Sequence, residues 1–397
     1  MGKPKLLVLT SSFPKYKGDI NGNFVYELTV RLKSDFDIFV LAPAYKGCLK
    51  YEIIDDIKVF RHKQFIMNNV ELAYGSDILA KIKKNYALIF VLPFYFYYLF
   101  NSFLKIIKNE KITLIHAHWI IPQGFVAVLY KTFINRNITI IATAHGADIN
   151  SFNNTLGIIL KKYVLKRIDV LTAVSDELKK KVINIGYKRK VYVYPMGVDT
   201  SLFSPEKKDI SLRVKYNING KFLLFVGGII ERKGIRYLIQ AMPSVIKQFP
   251  ETKLVVVGEG NLKKEMIELA DELKVSDNII FTGSIPHDDL PSYFATADIF
   301  ILPSLSEGWP VVVMEALSSG TKTIVTNLPV FYEHDKKEKL FSIVPIKNSN
   351  AIATKIIELL RENEFSEKNN YLRLYAKQEF DWTVVSNRYS KIILNLL

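Results

Sequence analysis

The chain has 397 residues, 49% of them hydrophobic and 23% charged, with a formal net charge of +15. That length and apolar content support two domains with real cores, and no low-complexity tract or short repeat interrupts them. The single cysteine, Cys48, excludes an intrachain disulfide and a Cys-rich zinc site, and it fits a reducing cytoplasm. The charge is unevenly placed: 29 Lys and Arg stand against 14 Asp and Glu through Pro195, and 25 against 25 from Met196 onward. An excess confined to the first half points to an anionic partner: a membrane surface, a phospholipid-linked substrate or nucleic acid.

The first segment, MGKPKLLVLTSS, reads as a strand leading into a loop; its apolar run is too short for a signal peptide. The loop FPKYKGDINGNF carries Gly18 and Gly22, and FVYELTVRL then has helical periodicity. Asp35-Phe36-Asp37 is the only Asp-x-Asp, but it opens a strand without companion ligands, so no metal site is expected. DIFVLAPA, TLIHAHW, ITIIATAHG, VLTAVS and VYVYPM follow as buried, mostly parallel strands, with GFVAVLYKTF and SDELKKKVINIG as helices between them. His118 and His145 end two consecutive strands of this set, and Asp148 follows three residues after the second. Ala87–Ile107 holds 21 residues without a charge before Lys105, long enough for a membrane span. Pro93, the aromatic load and the flanking Lys105, Lys108 and Lys111 suit an interfacial segment better, and a helix buried within the domain remains open.

The polar stretch Asp199–Asn219 reads as a linker, after which FLLFVGG, KLVVVGEG, NIIFTG, IFILPS, KTIVTN and LFSIVP repeat the strand pattern. The whole predicts an α/β protein of two Rossmann-like, doubly wound parallel-sheet domains facing across a cleft, with ligands at the carboxyl ends of the strands. Two segments of the second domain carry the chemistry. Gly227 and Gly228 let backbone come close after a strand, and Arg232 and Lys233 then open a helical pattern, a natural clamp for a diphosphate. Further on, SEGWPVVVMEALSSG sets Glu307 and Glu315 eight residues apart. If helical, that spacing spans roughly 12 Å, enough to accept hydroxyl donors at both ends of a nucleotide sugar. Pro310 suits the first helical position, with backbone N–H groups turned towards phosphates.

In this order and spacing, the Lys-Gly helix start, the Gly-x-Gly strand end and Glu-x7-Glu make the chain resemble the retaining GT-B glycosyltransferases of glycosyltransferase family 4. The resemblance covers nearly the whole length and is strongest from Phe222 to Asn327. It implies domains at 1–200 (acceptor side) and 201–380 (nucleotide sugar), with a helix at 381–397 returning to the first. It implies His145, Lys233 and Glu307 as catalytic. Gly22, Gly228, Arg232, Lys233, Gly283, Ser284, Ile285, Glu307, Gly308, Trp309, Pro310 and Glu315 would bind the donor, and His118 and Asp148 the acceptor. Gly228 departs from the pattern, because many members carry an Arg there that also binds the diphosphate.

The implied reaction is transfer of a hexose, with retention and without metal or cofactor, from a UDP- or GDP-sugar to a glycan or lipid-linked acceptor of the cell envelope. A cytoplasmic enzyme touching the inner face of the membrane through its basic first domain is expected, with no nucleic-acid partner. A nucleotide-sugar epimerase or sugar phosphorylase on the same fold is the nearest rival. A nicotinamide enzyme is disfavoured, since Lys263 stands where Gly258-x-Gly260 would need its third glycine and no acidic residue ends NIIFTG. No nucleic-acid-binding module is recognisable, which disfavours a binder of that kind.

Overall fold

The computed structural model describes residues 2–15, 19, 22–64, 72–73, 78, 81–82, 85–335, 340–362 and 367–397; Gly18 lies outside them. The chain divides into two compact units, Met1–Met196 with Val385–Leu397, and Gly197–Val384.

The first unit is built on strands β1 (Lys5–Leu9), β2 (Asp37–Pro43), β3 (Tyr51–Ile54), β4 (Ile57–His62), β5 (Leu114–His118), β6 (Thr139–Ala144), β7 (Val170–Ala173) and β8 (Val191–Val193). They form one sheet in the order β3-β4-β2-β1-β5-β6-β7-β8, parallel except for the β3–β4 pair. The inner strands are buried throughout, β5 at every residue, as expected for a parallel sheet covered on both faces. The β3–β4 hairpin was not among the strands read from sequence. Its two-residue turn, Asp55-Asp56, holds φ of 47° and 63°, a pair of positive values that the short polar Asp side chain tolerates.

Segment 87–107 forms a 3₁₀ turn, Tyr86–Val91, running into the helix Leu92–Glu110. Tyr95, Leu99, Phe103, Ile106 and Ile107 bury one face of that helix in the unit. Tyr86, Ile89, Phe90, Phe94 and Tyr97 form a second apolar stripe, open to solvent, with Phe90 78% exposed. Length and composition alone would allow Tyr86–Glu110 to cross a membrane. Its packing against β2 and β4 makes it a helix of the domain with one face covered.

The last helix, Trp382–Leu394, carries Tyr389 fully buried in the first unit, and Ser390 Oγ donates there to Asp35. Asp35 of the Asp-x-Asp is therefore engaged by the chain's own tail.

The second unit has β9 (Phe222–Val226), β10 (Lys253–Val257), β11 (Ile279–Gly283), β12 (Ile299–Leu302), β13 (Lys322–Thr326) and β14 (Ser342–Val344), all parallel, in the order β11-β10-β9-β12-β13-β14. The chain reverses its direction of travel across the sheet at β9, which makes the neighbouring carboxyl ends of β9 and β12 the switch point of this sheet. Asp199–Asn219 is not a free linker. Phe203, Leu212 and Ile218 are buried within this unit, and three apolar anchors outweigh the polar majority of the stretch.

Candidate functional site

The switch point of the second unit is built from two turns locked together. After β9 the chain makes a 3₁₀ turn, Glu231–Lys233, and Gly234, at φ 65°, starts the helix Ile235–Gln248. A Cβ on Gly234 would lie 2.0 Å from the Pro303 carbonyl oxygen, so only glycine lets the β9 turn sit against the β12 turn. Leu305 N–H donates to the Arg232 carbonyl at 2.8 Å across the same seam. Gly258 and Gly260 answer to the same crowding: a Cβ on either would stand 2.0–2.1 Å from the carbonyl of Gly227 or Ile229. Their glycines are accounted for by backbone packing, without a nicotinamide cofactor.

This seam joins residues 74 positions apart. Lys233 Nζ donates to Glu307 Oε1 at 2.6 Å, Ser304 Oγ donates to the same oxygen at 2.6 Å, and Arg232 reaches Oε2 at 3.2 Å. The Glu307 side chain is 5% exposed and that of Lys233 14%, whereas Arg232 is half open to solvent. Burial alone would push the Glu307 carboxyl up. The Lys233 and Arg232 charges and the two hydrogen bonds outweigh it and hold the group below the usual carboxylate range.

Glu315 lies on the helix Val311–Ser318 and is 3% exposed. Its Oε1 meets His287 Nε2 at 3.0 Å, while Oε2 is sealed from solvent with no partner among the described residues. A buried oxygen without a donor is costly, and a bound hydroxyl would relieve it. Pro310 is the cap before this helix, not its first helical residue, with φ −83° and ψ 105°. Residues 307–310 are accordingly non-helical, and the helical rise used to span Glu307 to Glu315 applies only from Val311 onward. Trp309 is buried against Phe380, with ring centroids 5.2 Å apart. Gly283 (φ 78°) ends β11, and Ser284 and Ile285 follow it, with Ser284 exposed. Gly228 has open space around it: the nearest atom to a methyl placed there would be the Glu259 carbonyl oxygen, 3.8 Å away.

The first unit gathers a second set of groups where β1, β5 and β6 end. Gly22, in the left-handed region at φ 77°, caps the helix Asn23–Leu32, and a Cβ there would stand 2.5 Å from the Ser12 backbone. His145 packs among Phe24 (5.1 Å), Trp119 (4.9 Å) and His118 (5.2 Å, nearly parallel rings). His118 Nδ1 and His145 Nε2 are 3.0 Å apart. Burial lowers the pKa of His145 to about 3 and that of His118 well below the imidazole norm, so both are neutral at pH 7.

Both residues expected to meet an acceptor are buried. His118 is fully buried. Asp148 spends both carboxylate oxygens on backbone N–H groups, Oδ1 on His145 and Gly146 (3.2 and 3.0 Å) and Oδ2 on Ile120 (2.8 Å). Asp148 thereby ties the β6 turn to the β5 turn, and burial nonetheless pushes its pKa up. The sequence reading missed His287 and Ser304. His287 sits in a polar turn whose sequence gives no signal of its partner, whereas Ser304, three residues before Glu307, could have been found by proximity. Among the described residues, no three His, Cys, Asp or Glu gather as a metal site.

Two buried acids thus lie at the carboxyl end of the second unit's parallel sheet, one of them clamped by two cations. Comparison with known proteins gives the class. Residues 208–379 match the family model "Glycosyl transferases group 1", and residues 22–202 match "Glycosyltransferase Family 4". Between them the two models take in most of each unit, and the chain belongs to the group 1 glycosyltransferases of GT-B fold.

Among its relatives is the N-acetyl-alpha-D-glucosaminyl L-malate synthase of Bacillus anthracis, 24% identical over 84% of this chain and 87% of the relative. Another is the GDP-mannose-dependent alpha-(1-6)-phosphatidylinositol monomannoside mannosyltransferase of Mycolicibacterium smegmatis, 22% identical over 98% of both chains. The Anabaena protein HepE, solved with UDP and glucose, superposes with a TM-score of 0.75 over 99% of this chain and 100% of its own, at 16% identity. The chain is a glycosyltransferase.

Proposed function

We propose that this glycosyltransferase moves a hexose from a nucleoside diphosphate sugar to a glycan or lipid-linked acceptor of the cell envelope, with retention of anomeric configuration and without a metal. The observation that carries the reading is the buried Glu307–Lys233–Arg232 cluster, with the unpartnered Glu315 Oε2 further along the same segment. Glu315 Oε2 accepts a ribose hydroxyl and relieves its isolation. Lys233 and Arg232 turn from Glu307 to the diphosphate and stabilise the charge that grows on the leaving oxygen. Glu307, released from Lys233, accepts sugar hydroxyls, and His145 donates a hydrogen bond to a sugar oxygen. The acceptor O–H attacks the anomeric carbon on the face the leaving group vacates. The C1–O bond to phosphate breaks, and the acceptor's proton passes to the departing phosphate oxygen.

GDP-mannose in the name of one relative and UDP with glucose in the Anabaena complex support a nucleotide sugar and leave the base open. Two features of the first unit support a peripheral place on the cytoplasmic face of the membrane. It carries the chain's whole positive excess, and the exposed stripe Tyr86, Ile89, Phe90, Phe94 and Tyr97 runs towards Lys105, Lys108 and Lys111. Aromatic side chains flanked by lysines suit a headgroup interface with anionic lipid.

Thermal melts with UDP, GDP, ADP and NAD, on the wild type and Glu315→Ala, test the donor site. A ligand at a hundred times its dissociation constant adds about 2.7 kcal/mol. Stabilisation by one nucleoside diphosphate, absent in the variant, is expected. Stabilisation by NAD alone, or an unaltered nucleotide response in Glu315→Ala, would overturn the reading.

A further inference from the structure

The hydrogen bond between His118 and His145 has a direction, and the surroundings decide it. His118 Nε2 is sealed from solvent and has no partner. Were the His118 proton on Nε2, the unit would hold a buried, unpaired N–H, which folded proteins avoid more strictly than an under-used acceptor. With the proton on Nδ1, the sealed Nε2 is a bare lone pair and Nδ1–H donates to His145 Nε2 at 3.0 Å.

The same logic orders the neighbouring groups. His116 Nε2 lies 2.8 Å from Thr143 Oγ1, Thr143 Oγ1 lies 2.7 Å from Thr172 Oγ1, and Thr172 donates onward to the Ala142 carbonyl at 3.3 Å. Donors run His116 to Thr143 to Thr172 to Ala142, and the sealed His116 Nδ1 is again a bare acceptor. Both buried rings therefore leave only lone pairs unmatched.

We propose that His118 is a positioning residue that fixes His145 in the tautomer with its proton on Nδ1, so that His145 meets its ligand as a hydrogen-bond donor. His145 Nε2 is occupied as an acceptor, so in the neutral ring the proton resides on Nδ1. That atom has no partner among the described residues and is not among the side-chain nitrogens sealed from solvent. Phe24 and Trp119, together with the His118 ring, restrain the imidazole from turning the other nitrogen outward. A ring held this way has no free lone pair to offer, so it binds a hydroxyl or phosphate oxygen and does not serve as a general base. The role of the tautomer in sugar transfer rests on the reading of His145 proposed above; the tautomer itself does not.

Two-bond 1H–15N NMR of protein labelled at histidine reads the tautomer directly, with or without activity. His145 is expected as the neutral Nδ1–H form in the wild type. His118→Asn, whose amide N–H occupies the place of ring Nδ1–H, should keep that form, and His118→Phe should lose it. A wild-type His145 protonated on Nε2 overturns the proposal without reference to any variant, and so does an unchanged tautomer in His118→Phe. In a transfer assay, His118→Phe should lower kcat about tenfold or more with donor KM held within about twofold, and His118→Asn should recover most of it where His118→Gln does not. An Nδ1–H tautomer in a protein without transfer activity would support this placement while rejecting the proposed reaction.

Discussion

Replacing Lys233 by alanine leaves the buried Glu307 carboxylate with Ser304 and the solvent-open Arg232. In the wild type, Lys233 and Glu307 are 2.6 Å apart with side chains 14% and 5% exposed, so solvent screens the pair little. Removing one partner of such a pair costs about 3–5 kcal/mol because the remaining charge stays buried. Taking the lower figure for the partners Glu307 keeps, the loss is about 3 kcal/mol, or roughly 6–12 °C in a unit of this size.

The cost should depend on pH in a definite direction. In the wild type the folded carboxyl titrates below its unfolded value, which contributes stability above the unfolded pKa, near 4.3, that is lost as pH falls through the folded pKa. Without Lys233, burial dominates and raises the folded value above the unfolded one, so the group destabilises as pH rises past its unfolded pKa. The deficit against wild type should therefore be largest near pH 7 and smaller at pH 4, where the variant's carboxyl is mostly protonated whether folded or unfolded and the wild type has begun to lose the stability its lowered pKa confers. Urea denaturation of wild type, Lys233→Ala and Lys233→Met with Glu307→Gln, at both pH values, measures it. The double variant should recover most of the stability and none of the transfer activity. A deficit equal at both pH values, or a double variant no more stable than the single, would refute the account of the cluster.

Gly228→Arg should tighten nucleoside diphosphate binding, read as a larger thermal shift with the same nucleotide, because a Cβ there meets nothing nearer than 3.8 Å; a weaker shift would count against phosphate binding there. Gly22→Ala should destabilise the first unit by about 1–3 kcal/mol in denaturation, since the added methyl meets the Ser12 backbone at 2.5 Å in a left-handed conformation. Phe90→Ser with Tyr97→Ser should leave the melt and nucleotide binding unchanged yet reduce co-sedimentation with vesicles containing phosphatidylserine. Equal sedimentation of variant and wild type would remove the membrane role of the stripe.

The parallel strands were legible because each is a continuous apolar run closed by Gly, Pro or a polar turn, as in FLLFVGG and IFILPS. The β3–β4 hairpin was not. β3 is half exposed at the sheet edge and Lys58 and Arg61 interrupt β4, so YEIIDDIKVFRH gives no continuous apolar run, although the alternation around Asp55-Asp56 was there to be read. At the candidate site, residue types and spacing were visible while partnerships were not. Lys233 meets Glu307 only because β9 and β12 are neighbours, a matter of sheet order that no local pattern encodes. For the same reason Asp148 passed as a ligand for an acceptor, when the N–H of Ile120, 28 positions away, takes one of its oxygens. The stretch from Asp199 to Asn219 misled by composition, because three buried apolar side chains hold it against the unit.

The crowding at Gly234, Gly258 and Gly260 makes the rim of the second unit's sheet a nested set of backbones with no slack for even one methyl. Loops at strand ends are ordinarily where a fold absorbs insertions and drift. Here the positions of Gly234, Gly258 and Gly260 have the tolerance of a core. Any remodelling of donor preference, by selection or by design, must begin further out, in side chains such as the one missing at Gly228 and in the chain beyond Gly260.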